Sequence, residues 1–437
     1  MVSFKRKRKS MSERDSASSK SGKELKVVYV RSVANALGTG MINPFAGPYA
    51  VKGLGASSSD MGWLQSMSNL SNNVMQVFWG RLSDSLGRRI PFIVLGGLIV
   101  AILWFPMLLV KTASQLVILI SLQALLGSMA VPAWTALIGD LVPSSHLGRI
   151  NATINLWASV GSILATMASG AIMTVIGGSV RDQIIIPIAV ATACGLLSSL
   201  VMFYVKADKT GKNSGEAKKN FMKDLFDVVE VAEKSPDFIR YCTCSAVFNF
   251  FMSIAWPLFA ITQVKVLKAS MLEIALLSVI QGIFTIIFIR WAGRLADTIG
   301  RKPLLILVRF GYVSVPLAYA FSPNIYVLIV IGTFWGTVAA FEQVSVTTYL
   351  LDVSPETHRG SFIAFYNLLI GTVTFFGSLI GGYLSDLTVG MYGLVLGLQI
   401  VYIVSAIGRF IGATTYFRLR ETIKSRKPLK HPKILFS

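Results

Sequence analysis

Ionisable side chains are scarce inside the apolar segments of this sequence, so the exceptions are where chemistry should be sought. Glu342 is the one acidic residue well inside an apolar span, on the same helical face as Trp335 and Tyr349. A carboxyl withdrawn from water is costly to keep ionised, which suits proton carriage; the competing role is a static brace paired with a buried Arg. Arg31, with Asn35 and Thr39 on a neighbouring face, can attract an anionic group by bidentate contact, or snorkel to the nearby surface. Arg309 and Arg409 sit nearer the ends of their spans, where snorkelling is the expectation. Three polar stripes at helical spacing complete the set: Gln65, Asn69, Asn72 and Gln76; Asn151, Asn155, Ser162, Thr166 and Ser169; Asn249, Ser253, Trp256 and Gln263. A polar face in a span meets water, a solute or a neighbouring helix, and hydroxyls in particular serve as glue between helices.

The elements that must position these residues are membrane helices. Of 437 residues, 53% are hydrophobic and 14% charged, against about 25% charged in soluble domains. Stretches long enough to cross roughly 30 Å of hydrocarbon fall at about 26–50, 60–82, 91–110, 114–140, 151–177 and 184–205, then at 238–264, 271–293, 303–322, 324–351, 361–386 and 392–416. The expected fold is therefore an all-α membrane protein with 12 transmembrane helices, six plus six. Predicted outer loops hold only Lys52, Lys111, Arg181, Lys265 and Lys268, whereas the remaining loops and tails are rich in bases, which places both termini in the cytoplasm. The net charge of +20 is thus explained by topology and calls for no nucleic acid.

Residues 1–24, with Lys5-Arg6-Lys7-Arg8-Lys9 and a Ser-rich run, read as a disordered basic cytoplasmic tail in contact with solvent or anionic lipid. Residues 25–205 form the first set of helices and 237–418 the second. Between them 206–236 reads as a cytoplasmic linker, with Phe221, Leu225, Val228 and Ala232 on one face of a short amphipathic helix. A basic tail, 419–437, follows. Cys194, Cys242 and Cys244 show neither disulfide nor zinc spacing. Asn151-Ala152-Thr153 spells a glycosylation acceptor, but on the predicted cytoplasmic side.

Two stretches about half a chain apart carry one pattern: Gly80-Arg-Leu-Ser-Asp84-Ser-Leu-Gly87-Arg88-Arg89 and Gly293-Arg-Leu-Ala-Asp297-Thr-Ile-Gly300-Arg301-Lys302. Glycine permits close approach of two helix ends, the Asp can bind orphan amides or a neighbouring Arg, and paired bases hold the turn on the anionic side of a bilayer. A second repeat, Asp140-Leu-Val-Pro143-Ser-Ser-His146 and Asp352-Val-Ser-Pro355-Glu-Thr-His358, continues to Asn155 and Asn367. Duplication as parallel repeats accounts for both. His146 and His358 have no ligand types clustered with them, so they are expected to bond loop backbone or lipid phosphate and not metal.

The doubled loop is similar to the signature of the major facilitator superfamily, G-x-x-x-[DE]-x-x-G-R-[RK], between the second and third helices of each six-helix half. The resemblance covers about 25–418 and implies two pseudo-symmetric six-helix bundles that rock about a central cavity, the loops at Asp84 and Asp297 holding inner helix ends together in one state and releasing them in the other. It implies a cavity lined by the first, fourth, seventh and tenth helices, which makes Glu342 the leading coupling or substrate carboxylate and adds Gln123, Asn249, Trp256 and Trp335 to Arg31, Asn35, Gln65 and Asn69 as candidates. The sequence departs from the family pattern in three places. Many proton-coupled members carry an Arg where Gln123 stands, with Trp335 the equivalent in the second half. The Gly-Pro signature of drug–proton antiporters is replaced by Gly161-Ser162-Ile163, and the residue after the signature Asp, often Arg, is Ser85 or Thr298.

The expected function is secondary transport of a small organic solute across the cell membrane by alternating access, with protons as a candidate coupling ion and the single chain as the working unit. An uncoupled facilitator and a solute receptor that moves nothing are the alternatives. No nucleophile, zinc or nucleotide motif appears, which argues against an enzyme and against a primary pump; no cofactor is called for.

Overall fold

The computed structural model describes residues 2–142, 144–205, 235–356 and 359–422, with side chains from Glu24 onward apart from 144 and 145. The described residues are helical, without strands. Joining pieces that no loop separates, we number the helices as follows. α1 is Val2–Leu54; α2 runs from Ser58–Leu70 through a π turn, Ser71–Met75, into Gln76–Leu86; α3 is Ile90–Trp104 with a 3-10 end, Phe105–Leu108; α4 is Ala113–Gly127 and Ala130–Leu141; α5 is Ser144–Ile176; α6 is Val180–Leu200 with Val201–Tyr204. α7 is Pro236–Ala255 followed by Leu258–Ile261 and a π turn, Thr262–Val266; α8 is Met271–Ile299; α9 is Arg301–Gly311 and Ser314–Phe321; α10 is Ile325–Val353; α11 is Arg359–Tyr392; α12 is Leu394–Thr415 with Tyr416–Arg418.

Local chemistry sets these limits. Gly87 ends α2 at φ +60, a left-handed cap that a side chain rarely adopts, and Pro91 sits in the first turn of α3, where its missing N–H is no loss. Thr112, Ser179 and Asn324 cap α4, α6 and α10, each side chain accepting a first-turn amide. Pro257 interrupts α7.

Ten of the helices, α3 to α12, are long and apolar enough to cross a membrane by length and composition. α1 and α2 are long enough but fall outside that set among the described residues. Both carry strongly polar side chains along the span, Arg31, Asn35 and Asn43 in one and Gln65 to Gln76 in the other, which dilute their hydropathy. The backbone of α1 is helical from Val2, through the stretch expected to be a disordered tail; no Pro interrupts it before Pro44. Residues 206–234 of the expected linker, with its amphipathic helix, and 423–437 of the expected tail lie outside the described residues. Residues 419–422 are not loose: Glu421 and Thr422 dock on the turn before α9 and on Asp352.

The first six helices pack on one another, as do the last six, and the two sets meet along α2 with α11 and α5 with α8. The meeting is lopsided. At one end, farthest from the duplicated loops, a single apolar core runs through both sets, joining Phe45, Tyr49 and Met173 to Leu258, Met271 and Tyr402. At the loop end the cores are separate: Phe238, Leu305 and Tyr349 on one side, Ile93, Leu137 and Val28, Ile154 on the other. Val28, near the start of the first expected span, and Leu419, just past the last, both belong to this loop end.

Candidate functional site

The two sequence repeats meet in space. Arg89, at the N-cap of α3, donates to Asp84 at 3.2 Å and to Asp140 at the end of α4 at 2.6 Å. In the second half Arg301 lies 3.9 Å from Asp297 and pairs with Asp352 at the end of α10. The signature pattern aligns Arg88 with Arg301, yet Arg89 makes the ion pairs and Arg88 is exposed. The reason is the turn: three residues, Gly87 to Arg89, separate α2 from α3, whereas Gly300 alone separates α8 from α9, so the base that faces Asp140 comes one place later. At the second loop Glu421 accepts the amides of Arg301 and Lys302 at 3.1 and 3.2 Å, capping α9, and the Lys302 ammonium bonds Phe417 O. All these bonds stay within one set of six helices.

A cavity of about 660 Å³ opens within the first six helices, lined by α1 to α5. It gathers Arg31, Asn35, Gln65 and Gln123 of the sequence candidates, together with Thr39, Asn43, Ser68 and Asn72, between Trp134 toward the loop end and Trp104 toward the opposite end. Arg31 does not snorkel. It is 7% exposed, its guanidinium carbon stands 3.9 Å from the centre of the Trp134 ring, and its Nε is buried with no hydrogen-bond acceptor. Stacking on an indole face recovers part of the hydration lost there. Gln123 lines the wall with its amide donating to Val100 O at 2.9 Å. Gln65 donates to Asn69, and Asn69 turns away to Thr374 O and Ser378 on α11, so it serves as glue between the two sets.

The other candidates lie outside this cavity. Glu342 accepts from Arg309 Nη1 at 2.8 Å and from the Tyr312 hydroxyl at 2.7 Å. Arg309 and Arg409 were expected to snorkel and are instead 1% exposed. Arg309 lies against the Phe248 and Tyr416 rings, and Arg409 donates to Ser405, Tyr312 O and Met252 O, tying α7, α9 and α12 together. Their faces point into the packed bundle, where acceptors are nearer than either surface. Trp335 is buried, stacked on Tyr319 and bonded to Ser314. Asn249 returns its amide to Ser245 O, Trp256 is half-buried at the break in α7, and Gln263 bonds Tyr319. In the fifth-helix stripe Thr166 and Ser169 bond Gly40 O and Met41 O of α1, while Asn151 and Asn155 are exposed. His146 is exposed and His358 lies outside the described residues.

Sequence reasoning missed the closure at the end opposite the loops. Ser57 with Asp60, and Ser270 with Glu273, form reciprocal capping boxes at the starts of α2 and α8. Each helix start then receives an acceptor from the opposite set. Asp386 of α11 accepts Ser58 N and Ser59 N, both at 2.9 Å, and Thr174 of α5 accepts Leu272 N at 3.2 Å. Ser385 bonds Ser58, Trp63 bonds Tyr383, and Lys265 bonds Ala56 O. Gly62 and Gly382 let α2 and α11 touch: a Cβ on Gly382 would come within 2.6 Å of Ser58 O. The repeated Ser-x-x-acid was the available signal for the boxes; no local pattern marks Asp386 as their partner.

Comparison with known proteins agrees with this architecture. The Major Facilitator Superfamily profile matches residues 29–248 and 241–436. Among curated proteins the chain is similar to the uncharacterized MFS-type transporter MJ1317 of Methanocaldococcus jannaschii, 25% identical over 379 residues, covering 84% of this chain and 90% of that protein. A shorter match, 28% identical over 154 residues, covers 33% of this chain and 39% of the quinolone resistance protein NorA of Staphylococcus aureus. Among solved structures a mutant form of the nucleoside transporter NupG superposes with a TM-score of 0.74 at 14% identity, over 91% of this chain and 99% of that one. A D-xylose-proton symporter gives 0.68 at 15% identity, over 91% and 98%. With its doubled loop and ten apolar spans, the chain is a multi-pass integral membrane protein that belongs to the major facilitator superfamily of transporters.

Proposed function

We propose that this protein is a secondary transporter that moves a small organic solute by alternating access. α1–α6 and α7–α12 are its two six-helix bundles, twelve crossings in all, with the termini and the duplicated loops in the cytoplasm of a cell-membrane protein. The positive-inside pattern of the loops supports that orientation. The structure then corresponds to the state open to the cytoplasm. The observation that carries the reading is the one-sided contact between bundles: bonds and apolar core bridge them at the outer end, and the ion pairs of Arg89 and Arg301 stay within their own bundles at the inner end. Rocking would exchange these, releasing the Asp386 and Thr174 caps and bringing the two loops together. Asp84 and Asp297, 60% and 75% exposed, are free to make new contacts in that second state.

The test uses a cysteine pair, Ser58→Cys with Ser385→Cys, whose hydroxyls now stand 2.9 Å apart, with Cys194, Cys242 and Cys244 changed to Ser. Proteoliposomes are offered a mixed panel of organic solutes and their contents quantified. Saturable accumulation that oxidation abolishes and reductant restores is the expected result. Flux through the cross-linked protein, or saturable binding with no flux, refutes transport by this cycle. One observation favours an uncoupled facilitator over proton coupling: no carboxylate is among the described lining residues of the cavity, and Glu342 is tied to Arg309 and Tyr312. Flux that ignores an imposed pH gradient is the outcome it calls for.

A further inference from the structure

Arg31 is the one charged side chain among the described residues lining the cavity of the first bundle. It is 7% exposed, carries no salt bridge among the described residues, and has an Nε with no acceptor. Of the other two buried arginines of the membrane region, Arg309 also has an Nε without an acceptor but is paired with Glu342, and Arg409 has three oxygen acceptors, so Arg31 alone of the three lacks both a carboxylate and hydrogen-bonded acceptors among the described residues. A guanidinium kept charged in a low-dielectric wall without an anion or a full set of acceptors is an expensive arrangement, and such residues inside a span mark a ligand path. We propose that the cavity binds a singly charged organic carboxylate whose two oxygens engage Arg31.

The charge follows from the lining. One cation balances one negative charge, and no Lys or second Arg stands by for a dianion among the described lining residues. Zwitterions are disfavoured, since no Asp or Glu is among the described residues lining the wall to receive an ammonium. The two oxygens of a carboxylate match the fork of a guanidinium, and the group remains planar against Trp134, which already holds that guanidinium face-on at 3.9 Å. The body of the ligand would lie beside the indole of Trp134 and the exposed amides of Asn35 and Asn72, which offer hydrogen bonds to uncharged polar groups, with Trp104 and Leu64 closing the far end of the cavity. Trp104 and Leu64 lie in the apolar core that joins the two bundles at the outer end, so that end of the cavity backs onto the contact that rocking would break.

This inference rests on reading the cavity as a transport site, and its test separates the two. Purified full-length protein in detergent is titrated with benzoate, phenylacetate, indole-3-acetate and gluconate, each against its neutral amide, and binding is read by calorimetry without any flux. At least one acid should bind while its amide binds at least about tenfold more weakly. Arg31→Gln should weaken that acid roughly 10- to 100-fold, the range for a charged hydrogen-bonded contact, with the amide unaffected. Arg31→Lys keeps the charge without the fork and should bind at an intermediate level, which preserves the test if the Gln variant does not fold. Phosphatidylglycerol is the competing source of a single negative charge. If it displaces the acid and the acid shows no flux in liposomes, Arg31 is a lipid site and the proposal falls. Equal binding of acids and amides, or an acid unaffected by both Arg31 variants, overturns it as well. Carboxylate binding lost in Arg31→Gln, in a protein that moves no solute and whose site phosphatidylglycerol does not occupy, would leave the site standing and refute the transport reading instead.

Discussion

Neutralising Glu342 separates a brace from a proton carrier. Glu342→Gln keeps the shape and one acceptor for Arg309 or Tyr312, but it leaves the guanidinium of Arg309, 1% exposed against 27% for Glu342, without an anionic partner, beside the Phe248 and Tyr416 rings. Removing one partner of a buried pair typically destabilises by about 3–5 kcal/mol. The amide retained by Gln and the partial exposure of Glu342 lower that to about 2–3 kcal/mol. For an unfolding unit the size of one bundle, each kcal/mol moves Tm by about 2–4 °C, so the variant should melt roughly 4–12 °C below the parent. Arg309→Met alone should be destabilising too, because it strands the carboxylate. The double variant Glu342→Gln/Arg309→Met removes both charges and should recover most of the loss, a non-additive cycle. Melting of the four purified proteins by intrinsic fluorescence in one detergent reads the cycle directly. A proton carrier predicts another pattern: Tm moved by less than about 1 °C, no recovery in the double variant, and flux that loses its response to a pH gradient. That pattern would refute the brace.

The remaining predictions concern the balance between the two states of the proposed cycle. Asp386→Asn weakens the cap that α11 places on α2, worth about 1–2 kcal/mol, so the ratio of closed to open outer ends should fall roughly 5- to 30-fold; labelling of Asn43→Cys by an impermeant thiol reagent from the outer face should rise, and an unchanged rate would count against the cap. Gly382→Ala places a methyl group 2.6 Å from Ser58 O and 3.0 Å from the Gly62 Cα, where backbone cannot yield, and should shift the same labelling in the same direction; a variant with parental labelling and parental Tm would show that α2 and α11 have slack. Asp84→Asn removes an exposed pair worth about 0–1 kcal/mol, so Tm should fall by no more than about 4 °C while solute flux slows; normal turnover would mean that Asp84 has no part in the inner closure.

Several features of this protein were written in single segments of the chain. Helices α3 to α12 follow from runs of apolar residues bounded by Gly, Pro and capping side chains, because hydropathy and backbone preference act within one element. The duplication is equally plain, since Gly80 to Arg89 and Gly293 to Lys302 repeat a spacing that two turns must share. Arg31 with Asn35, Gln65 and Gln123 could be named as cavity residues from their types, their periodicity and the family resemblance.

Partnership was decided only when helices were laid side by side. Arg89 and not Arg88 meets Asp140 because the first turn is longer than the second. Arg309 and Arg409 find acceptors on other helices and stay inside, while Arg31, similar in sequence context, finds an indole face and an open cavity. Asn69 and Gln65 share a stripe, yet one bonds α11 and the other faces the cavity. Asp386 acquires its role from the start of α2, more than half the chain away. A helical period fixes which residues share a face, whereas what that face meets depends on the rotation and approach of its neighbours, which no single segment of this chain encodes.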